Sequence, residues 1–372
     1  MPEDKAPIDP WGSTLPADYE TLMREFGIEP MTEEIISAFP STHRLLRRRV
    51  EFGHRDITRI LDALKRNGAY AVMSGIKPTG DFHLGTMMTA EEIIFYQSLS
   101  DKAVAHYCIA DLEALADNGI PLEESHGIAV GNVADLLALG LDARRAYIYK
   151  QSEEKLVQRM AFVFSTAVTF NTLEAIYGPK HIKYYFSALI QVGDIMLPQT
   201  EEHGGPKPVL VPVGIDQDPH IRLSRDIAKK FKLVPPSAVF HKLTRSLLGE
   251  EKMSKRNPMS MMTLSDDPRL AERKIWSALT GGRGTVEEQR RLGGEPEKCV
   301  VFELMTNHFI EDDDELRKVY LECKTGARLC GDCKSQLADV VSRFLMRHQE
   351  RKEGLMDLAR SILEGGGWTR KA

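Results

Sequence analysis

The sequence predicts an α/β fold: a doubly wound parallel sheet with a helical insertion, followed by an all-α C-terminal domain. Three observations predict it. Between about residues 69 and 241, short apolar runs that end in turn residues alternate with helical periodicities, which places helices on both faces of a parallel sheet. Residues 153–200 interrupt that alternation with apolar positions three and four apart, so they read as a helical insertion. After about Asp267 strand signals stop, and Leu337, Val340, Val341, Phe344 and Leu345 share helical spacing.

Taken in order, residues 1–65 form an N-terminal extension that leads into a helix near Ile57–Lys65. The run Ala69–Ser74 reads as a buried strand, Leu84–Leu99 as a helix and Ala103–Ala110 as a second strand. A helix at Leu122–Leu139 and a strand at Ala146–Lys150 follow. Beyond the insertion, Val209–Ile215 is strand-like, Pro219–Phe231 helix-like and Ser237–His241 strand-like. The domain boundaries expected are 1–65 for the extension, 66–268 for the catalytic domain with its insertion at 153–200, and 269–372 for the helical domain.

With 42% hydrophobic and 28% charged residues, the chain has the composition of a soluble globular protein. No apolar run approaches membrane-spanning length, and Met1-Pro2-Glu3-Asp4-Lys5 lacks the apolar core of a signal peptide, so a cytoplasmic location and no membrane partner are expected. A net charge of −5 argues against a binder that is basic throughout. Two basic clusters, Arg44, Arg47, Arg48, Arg49 and Arg343, Arg347, His348, Arg351, Lys352, read individually as solvated faces. Of five cysteines, Cys299, Cys323, Cys330 and Cys333 fall together, which in a cytosolic chain means a metal site or reduced thiols more often than disulfides.

Three segments carry chemistry. Met73–Thr86 leaves a strand, turns through Pro78 and Gly80 and enters a helix, whose free N–H groups suit phosphate. His83 stands at that helix start, within reach of a phosphate oxygen, and Gly85 lets a nucleotide lie against backbone. Lys252-Met253-Ser254-Lys255-Arg256-Asn257 sits in a polar, turn-rich stretch, where two lysines can neutralise charge growing on a leaving pyrophosphate. Gly214-Ile215-Asp216-Gln217-Asp218-Pro219-His220 ends a strand and begins a helix, at the strand ends where doubly wound sheets bind ligands. Each alone reads as a capping turn or a basic loop. Their occurrence together, with no Walker A or Gly-x-Gly-x-x-Gly sequence, points to another kind of nucleotide site.

His83-Leu84-Gly85-Thr86 resembles the HIGH signature of class I aminoacyl-tRNA synthetases, and Lys252–Arg256 resembles their KMSKS loop. Gly214–His220 resembles the Gly-x-Asp-Gln stretch of the tyrosyl and tryptophanyl enzymes. Phe52–Asp56, Gly281-Gly282-Arg283, Glu288-Gln289 and Gly293–Cys299 are similar to the tryptophanyl-tRNA synthetase family of archaea and eukaryotes. The resemblance covers Phe52 to about Gln349, with Thr86 in place of the second His of HIGH and Arg256 in place of the last Ser of KMSKS.

That resemblance implies a Rossmann-like catalytic domain and a two-step reaction: ATP with Mg2+ activates L-tryptophan to the adenylate, which is then transferred to tRNA(Trp). It implies His83, Lys252 and Lys255 as catalytic residues. ATP contacts are expected at Gly75, Lys77, Gly85, Thr86, Gly214, Asp216, Met253 and Ser254. A tryptophan pocket is expected of Met73, Glu113, Gln191, Asp194 and Gln217, with Gln191 and Glu113 at the α-amino end and Asp194 as acceptor for the indole N–H. It further implies a homodimer through the insertion, rich in Phe162, Phe164, Phe170, Tyr184, Tyr185 and Phe186, and a C-terminal domain that binds the tRNA anticodon. Some relatives hold an iron–sulfur cluster on cysteines of similar spacing, so Cys299, Cys323, Cys330 and Cys333 are candidate ligands of such a cluster or of zinc, with Gly331 easing a sharp turn. The alternative is a tyrosyl enzyme, which Ala110–Ala114 and Gln191–Asp194 also resemble. Met73 disfavours it, because a thioether offers a phenol hydroxyl no strong partner. A different adenylyl- or nucleotidyltransferase would not be expected to carry the lysine loop as well, nor a non-catalytic RNA-binding relative a pyrophosphate clamp.

Overall fold

The computed structural model describes residues 9–12, 14–16, 18–249, 251–253 and 258–365. The sheet strands are β1 (Glu29–Pro30), β2 (Glu51–Arg55), β3 (Tyr70–Ile76), β4 (Ala103–Ile109), β5 (Ala146–Lys150), β6 (Val209–Gly214) and β7 (Ser237–His241). Before β3 lie the short helices α1 (Tyr19–Phe26), α2 (Glu33–Ser37), α3 (Arg44–Arg47) and α4 (Thr58–Lys65). Within the sheet region come α5 (Leu84–Ser98), α6 (Asp111–Glu113), α7 (Leu122–Leu139), α8 (Lys155–Ser165), α9 (Phe170–Tyr177), α10 (Ile182–Met196) and α11 (Asp218–Lys230). The C-terminal helices are α12 (Pro268–Ser277), α13 (Val286–Leu292), α14 (Val300–Leu304), α15 (Asp313–Lys324), α16 (Cys330–Glu353) and α17 (Met356–Glu364).

The strand order is β1-β2-β7-β6-β3-β4-β5. Strands β3 to β7 pair parallel, and β1 and β2 add antiparallel to the β7 edge. The sheet is therefore mixed, and two strands come from the segment read as an extension. From β3 the chain steps outward through β4 and β5, then returns to the other side of β3 with β6 and β7. The direction reverses between β3 and β6, so their carboxyl ends diverge into a crevice.

The strands form where sequence and burial agree. Tyr70, Ala71, Val72 and Met73 are buried on both faces, as are Val209, Leu210 and Val211, which makes near-continuous apolar runs favourable. One face of the sheet is covered by α5, α7 and the C-terminal helices α12, α16 and α17, in one continuous core. The other is covered by α8, α9, α10 and α11. Helix α7 ends where Gly140 takes φ 118°, a backbone state that a side chain would strain.

Burial also explains β2, which sequence patterning does not reveal. Glu51 and His54 are both buried, and Glu51 accepts from Tyr96 Oη. Their polarity hides the strand, and only pairing with β7 makes it one.

Candidate active site

The crevice is built from strand ends and one helix start. At the end of β3, a Cβ on Gly75 would stand 2.7 Å from the Cys108 carbonyl oxygen, so glycine is needed for β3 and β4 to run this close. His83 is the N-cap of α5: its Nδ1 accepts from the Thr86 N–H at 3.3 Å, and its ring also meets the Thr86 hydroxyl at 3.2 Å. Beyond it, Gly85 has room for no side chain without crowding the His83 ring, 3.1 Å from a built Cβ. Across the crevice, Gly214 ends β6 and Asp216 accepts from Lys252 Nζ at 2.7 Å. The Met253 N–H donates to the Thr244 carbonyl at 2.8 Å, which pins the start of the lysine loop. Ser254 and Lys255, and the departing Arg256, lie outside the described residues.

Around Asp194 and Glu113 the crevice wall is a buried polar network. Asp194 on α10 accepts from Tyr149 Oη at 2.8 Å and from Gln151 Nε2 at 2.6 Å. Glu113 accepts from the same Gln151 at 2.9 Å and from Gln191 Nε2 at 2.8 Å. Burial pushes the Asp194 carboxyl up to about 7, against the hydrogen bond from Gln151, which lowers it. Burial likewise raises Glu113, opposed by the charge of Lys77. Lys77 is ion-paired with Asp117 and stands 3.6 Å from Glu113. Burial disfavours its charge, but the two carboxylates outweigh that and hold its pKa above the ordinary range.

Every described residue expected to bind nucleotide or amino acid lines one cavity of about 820 Å³. Met73, Glu113, Gln191, Asp194 and Gln217 border it together with Gly75, Lys77, His83, Gly85, Thr86, Gly214, Asp216, Lys252 and Met253. A volume of that size lies within the range of small-molecule sites.

Sequence reasoning missed several neighbours. Pro10, Trp11 and Gly12 of the N-terminal segment border the same cavity. Trp11 Nε1 donates to Asp117 at 3.1 Å, and its ring packs against Tyr184, Tyr177 and His220 at 4.9, 5.5 and 5.5 Å. His220 meets Tyr177 Oη at 2.8 Å, and burial pushes its pKa down to about 3, so the ring is neutral. The partners of Trp11 lie more than a hundred positions away, and no local signal could have revealed them.

Half of the arginine cluster is not a solvated face: Arg44 is buried and Arg48 half-buried, while Arg47 and Arg49 stay exposed. Arg44 is buried, pairing with Glu91 at 2.5 Å and Glu311 at 3.1 Å. Arg47 and Arg48 both pair with Asp313 and donate to the Glu311 carbonyl. Arg49 pairs with Glu33 at 2.9 Å. The cluster fastens α3 to the start of α15. In the second cluster, His348 and Lys352 both bind Asp135 of α7 at 2.8 Å, while Arg343, Arg347 and Arg351 stay exposed.

The cysteines also depart from expectation. All four line one cavity, of only about 20 Å³, with Phe302 and Val319. Among the described residues no group of three or more His, Cys, Asp or Glu is placed to hold a metal ion. Cys330–Cys333 is the first turn of α16, so Gly331 bends nothing. Cys299 Sγ caps α14 by accepting from the Phe302 N–H at 3.4 Å, and Arg328 Nε donates to Cys333 Sγ at 3.1 Å. Burial and the neighbouring thiols push Cys323 up to about 11. These residues as arranged do not fit a zinc ion, and a water-sized void does not fit a cluster.

The model of the tRNA synthetases class I (W and Y) matches residues 65–346. The tryptophan–tRNA ligase of Methanocaldococcus jannaschii is 40% identical over 96% of this chain and 98% of its own length. That of Hyperthermus butylicus is 43% identical over the same shares. Among solved structures, the tryptophanyl-tRNA synthetase of Aeropyrum pernix K1 superposes with a TM-score of 0.88 at 39% identity, over 95% of this chain and 98% of that one. With the strand-end crevice, the capping histidine and the lysine at the loop start all in place, the chain belongs to the class I tRNA synthetases of the tryptophan and tyrosine group.

Proposed function

We propose that the chain activates L-tryptophan with ATP and transfers it to tRNA(Trp), releasing AMP and pyrophosphate. The observation that carries this is the single cavity in which a phosphate-suited helix start and a carboxylate–amide network face each other. The curated relatives at 40% and 43% identity are tryptophan–tRNA ligases over nearly their whole length, which favours tryptophan over the tyrosyl alternative.

In this reading the tryptophan carboxylate attacks the α-phosphate of ATP, and the pyrophosphate leaves. His83 and the N–H groups at the start of α5 meet phosphate oxygens. Lys252 exchanges Asp216 for the triphosphate, and Lys255 joins it as charge accumulates on the leaving group. No protein nucleophile takes part, and positioning and charge stabilisation carry the rate. Mg2+, bound with ATP, neutralises part of the phosphate charge. Glu113 and Gln191 hold the α-ammonium group. Asp194 accepts the indole N–H, its carboxylate already oriented by Tyr149 and Gln151. Met73 and Gln217 line the ring's path, and Gly75, Lys77, Gly85, Thr86, Gly214, Met253 and Ser254 border the nucleotide.

A homodimer fits the insertion. Phe162, Phe170, Phe186 and Ile182 are 77%, 55%, 63% and 52% exposed, whereas Phe164 and Tyr185 fill the monomer's own core. Exposed apolar side chains grouped on α8, α9 and α10 suit a self-complementary interface. The C-terminal helices, with Arg343, Arg347 and Arg351 exposed, suit the anticodon arm of the tRNA. Among the described residues no helix is long and apolar enough to cross a membrane.

The test is ATP–pyrophosphate exchange with tryptophan and with tyrosine side by side. Exchange with tryptophan is expected. Exchange with tyrosine alone would overturn the assignment.

A further inference from the structure

A buried carboxylate–imidazole pair lies beneath the nucleotide side of the cavity. His241 is the last residue of β7 and borders the cavity next to Gly214, its parallel neighbour on β6. Its Nδ1 stands 2.8 and 3.0 Å from the two carboxylate oxygens of Glu92, on α5 two turns beyond Thr86. Glu92 is fully buried and His241 nearly so. A carboxylate that accepts a hydrogen bond from Nδ1–H fixes the tautomer of the neutral ring, in which the other nitrogen, Nε2, presents a lone pair. Nε2 lies on the Gly214 side of the ring: a Cβ built on Gly214 would stand 3.4 Å from it, 2.6 Å from Asp216 Oδ1 and 2.8 Å from the Leu243 side chain, so both polar atoms border the narrow gap over Gly214, at most about 6 Å apart.

Two acceptors flank that gap. Asp216 Oδ2 is held by Lys252, which leaves Oδ1 turned toward Gly214. Neither a carboxylate oxygen nor a bare imidazole nitrogen suits a phosphate, since both would repel its oxygens. Two neighbouring hydroxyl donors suit them well, and a separation of at most about 6 Å between acceptors is one that a vicinal diol bridges. Helix α5 supplies the remaining geometry: His83, Thr86 and Thr89 line the cavity along one face, and Glu92 continues that face below the floor.

We propose that His241, aligned by Glu92, is a second acceptor for the ribose diol of the bound nucleotide, beside Asp216, and so sets the preference for a ribonucleotide. His241 contacts substrate in this arrangement, whereas Glu92 is a positioning residue. The proposal rests on the nucleotide reading of the crevice.

The experiment measures KM for ATP, 2′-deoxy-ATP and 3′-deoxy-ATP in tryptophan-dependent pyrophosphate exchange, for the unaltered protein and for His241→Ala, His241→Gln and Glu92→Gln. The unaltered protein should prefer ATP over at least one deoxy analogue by roughly tenfold, the worth of a well-formed hydrogen bond in a dry site. His241→Ala should lose about fivefold on ATP and little on that analogue, with the KM for tryptophan unchanged. His241→Gln, which keeps an acceptor and most of the volume, should retain part of the preference and decides the matter if the alanine variant does not fold. Glu92→Gln should fall between His241→Gln and His241→Ala. An equal loss on all three nucleotides, in whichever histidine variant folds, would overturn the proposal by making the pair a packing feature. Absence of ribose preference in the unaltered protein would overturn it as well. Absence of exchange with ATP altogether would instead sink the nucleotide reading.

Discussion

The two ends of the cavity are built differently. At the amino-acid end the polar groups are already satisfied by one another: Asp194 by Tyr149 and Gln151, Glu113 by Gln151 and Gln191, Asp117 by Lys77 and Trp11. At the nucleotide end Lys252 is held by one carboxylate at a surface it shares with solvent, and the loop it begins runs on through residues 254–257, outside the described ones. On the proposed function the first is a preorganised mould, whose carboxylates are oriented by their neighbours before a substrate arrives. In the proposed reaction the second changes partners, so its groups would act on the transition state more than on the bound substrate. Selectivity and rate are thereby assigned to opposite ends of one cavity.

The sharpest way to break that division is Lys252→Ala. We expect adenylate formation to slow by about a hundred- to a thousandfold, the usual worth of one preorganised charge contact, with the KM for tryptophan changed less than threefold. Pre-steady-state adenylate formation measures it, and a change confined to tryptophan affinity would reverse the assignment. Next in size, Asp194→Asn should raise the KM for tryptophan by roughly thirtyfold and leave the first-order rate at saturating tryptophan within a fewfold, since it removes a charged acceptor made in the ground state. Trp11→Ala should have the same signature at smaller size, about fivefold on the KM for tryptophan, because it removes a ring from the wall and a donor from Asp117.

The smallest expected effect is in pH. Asp194 titrates near 7 in the folded chain instead of near 3.8. Below that the carboxyl is neutral and a poorer acceptor, so the KM for tryptophan should fall severalfold between pH 6 and 8, and Asp194→Asn should flatten the profile. The sign for stability is opposite. A carboxyl whose folded pKa is raised contributes most at low pH, and that contribution is lost as pH rises from about 4 through about 7, by up to roughly 4 kcal/mol. Denaturant melts of the asparagine variant against the parent across that window measure the loss.

Legibility in the sequence follows the same divide. Ser237–His241, Ala146–Lys150 and Leu122–Leu139 were readable to the residue, because apolar runs there stop at turn or capping residues. That His83, Gly214 and Asp216 border one crevice was readable because strand-end motifs are local: His83 caps its own helix, and Asp216 follows its own strand. Two strands of the mixed sheet were not, since Glu29–Pro30 and Glu51–Arg55 are polar and exist by pairing at the β7 edge. Trp11, Asp117, Gln151 and Tyr149 were invisible because their roles come from partners 38 to 106 positions away. Arg44 and Arg48 were misread for that reason too: their carboxylates lie 47 to 267 positions off, and charge without its partner looks like a solvated face. Cysteine spacing overstated its case, because spacing cannot show that one thiol caps a helix and another accepts from an arginine.

Arg245 pairs along the backbone with Lys252, and its guanidinium and N–H are both held by Glu303 of α14. Its other arm reaches the Lys298 carbonyl, immediately before the residue that caps α14. The base of the lysine loop is thus bolted to the C-terminal helices by a short rigid strut. A displacement of α14 would therefore displace Lys252 with it, because the residue bridged to Lys252 is the one that Glu303 holds.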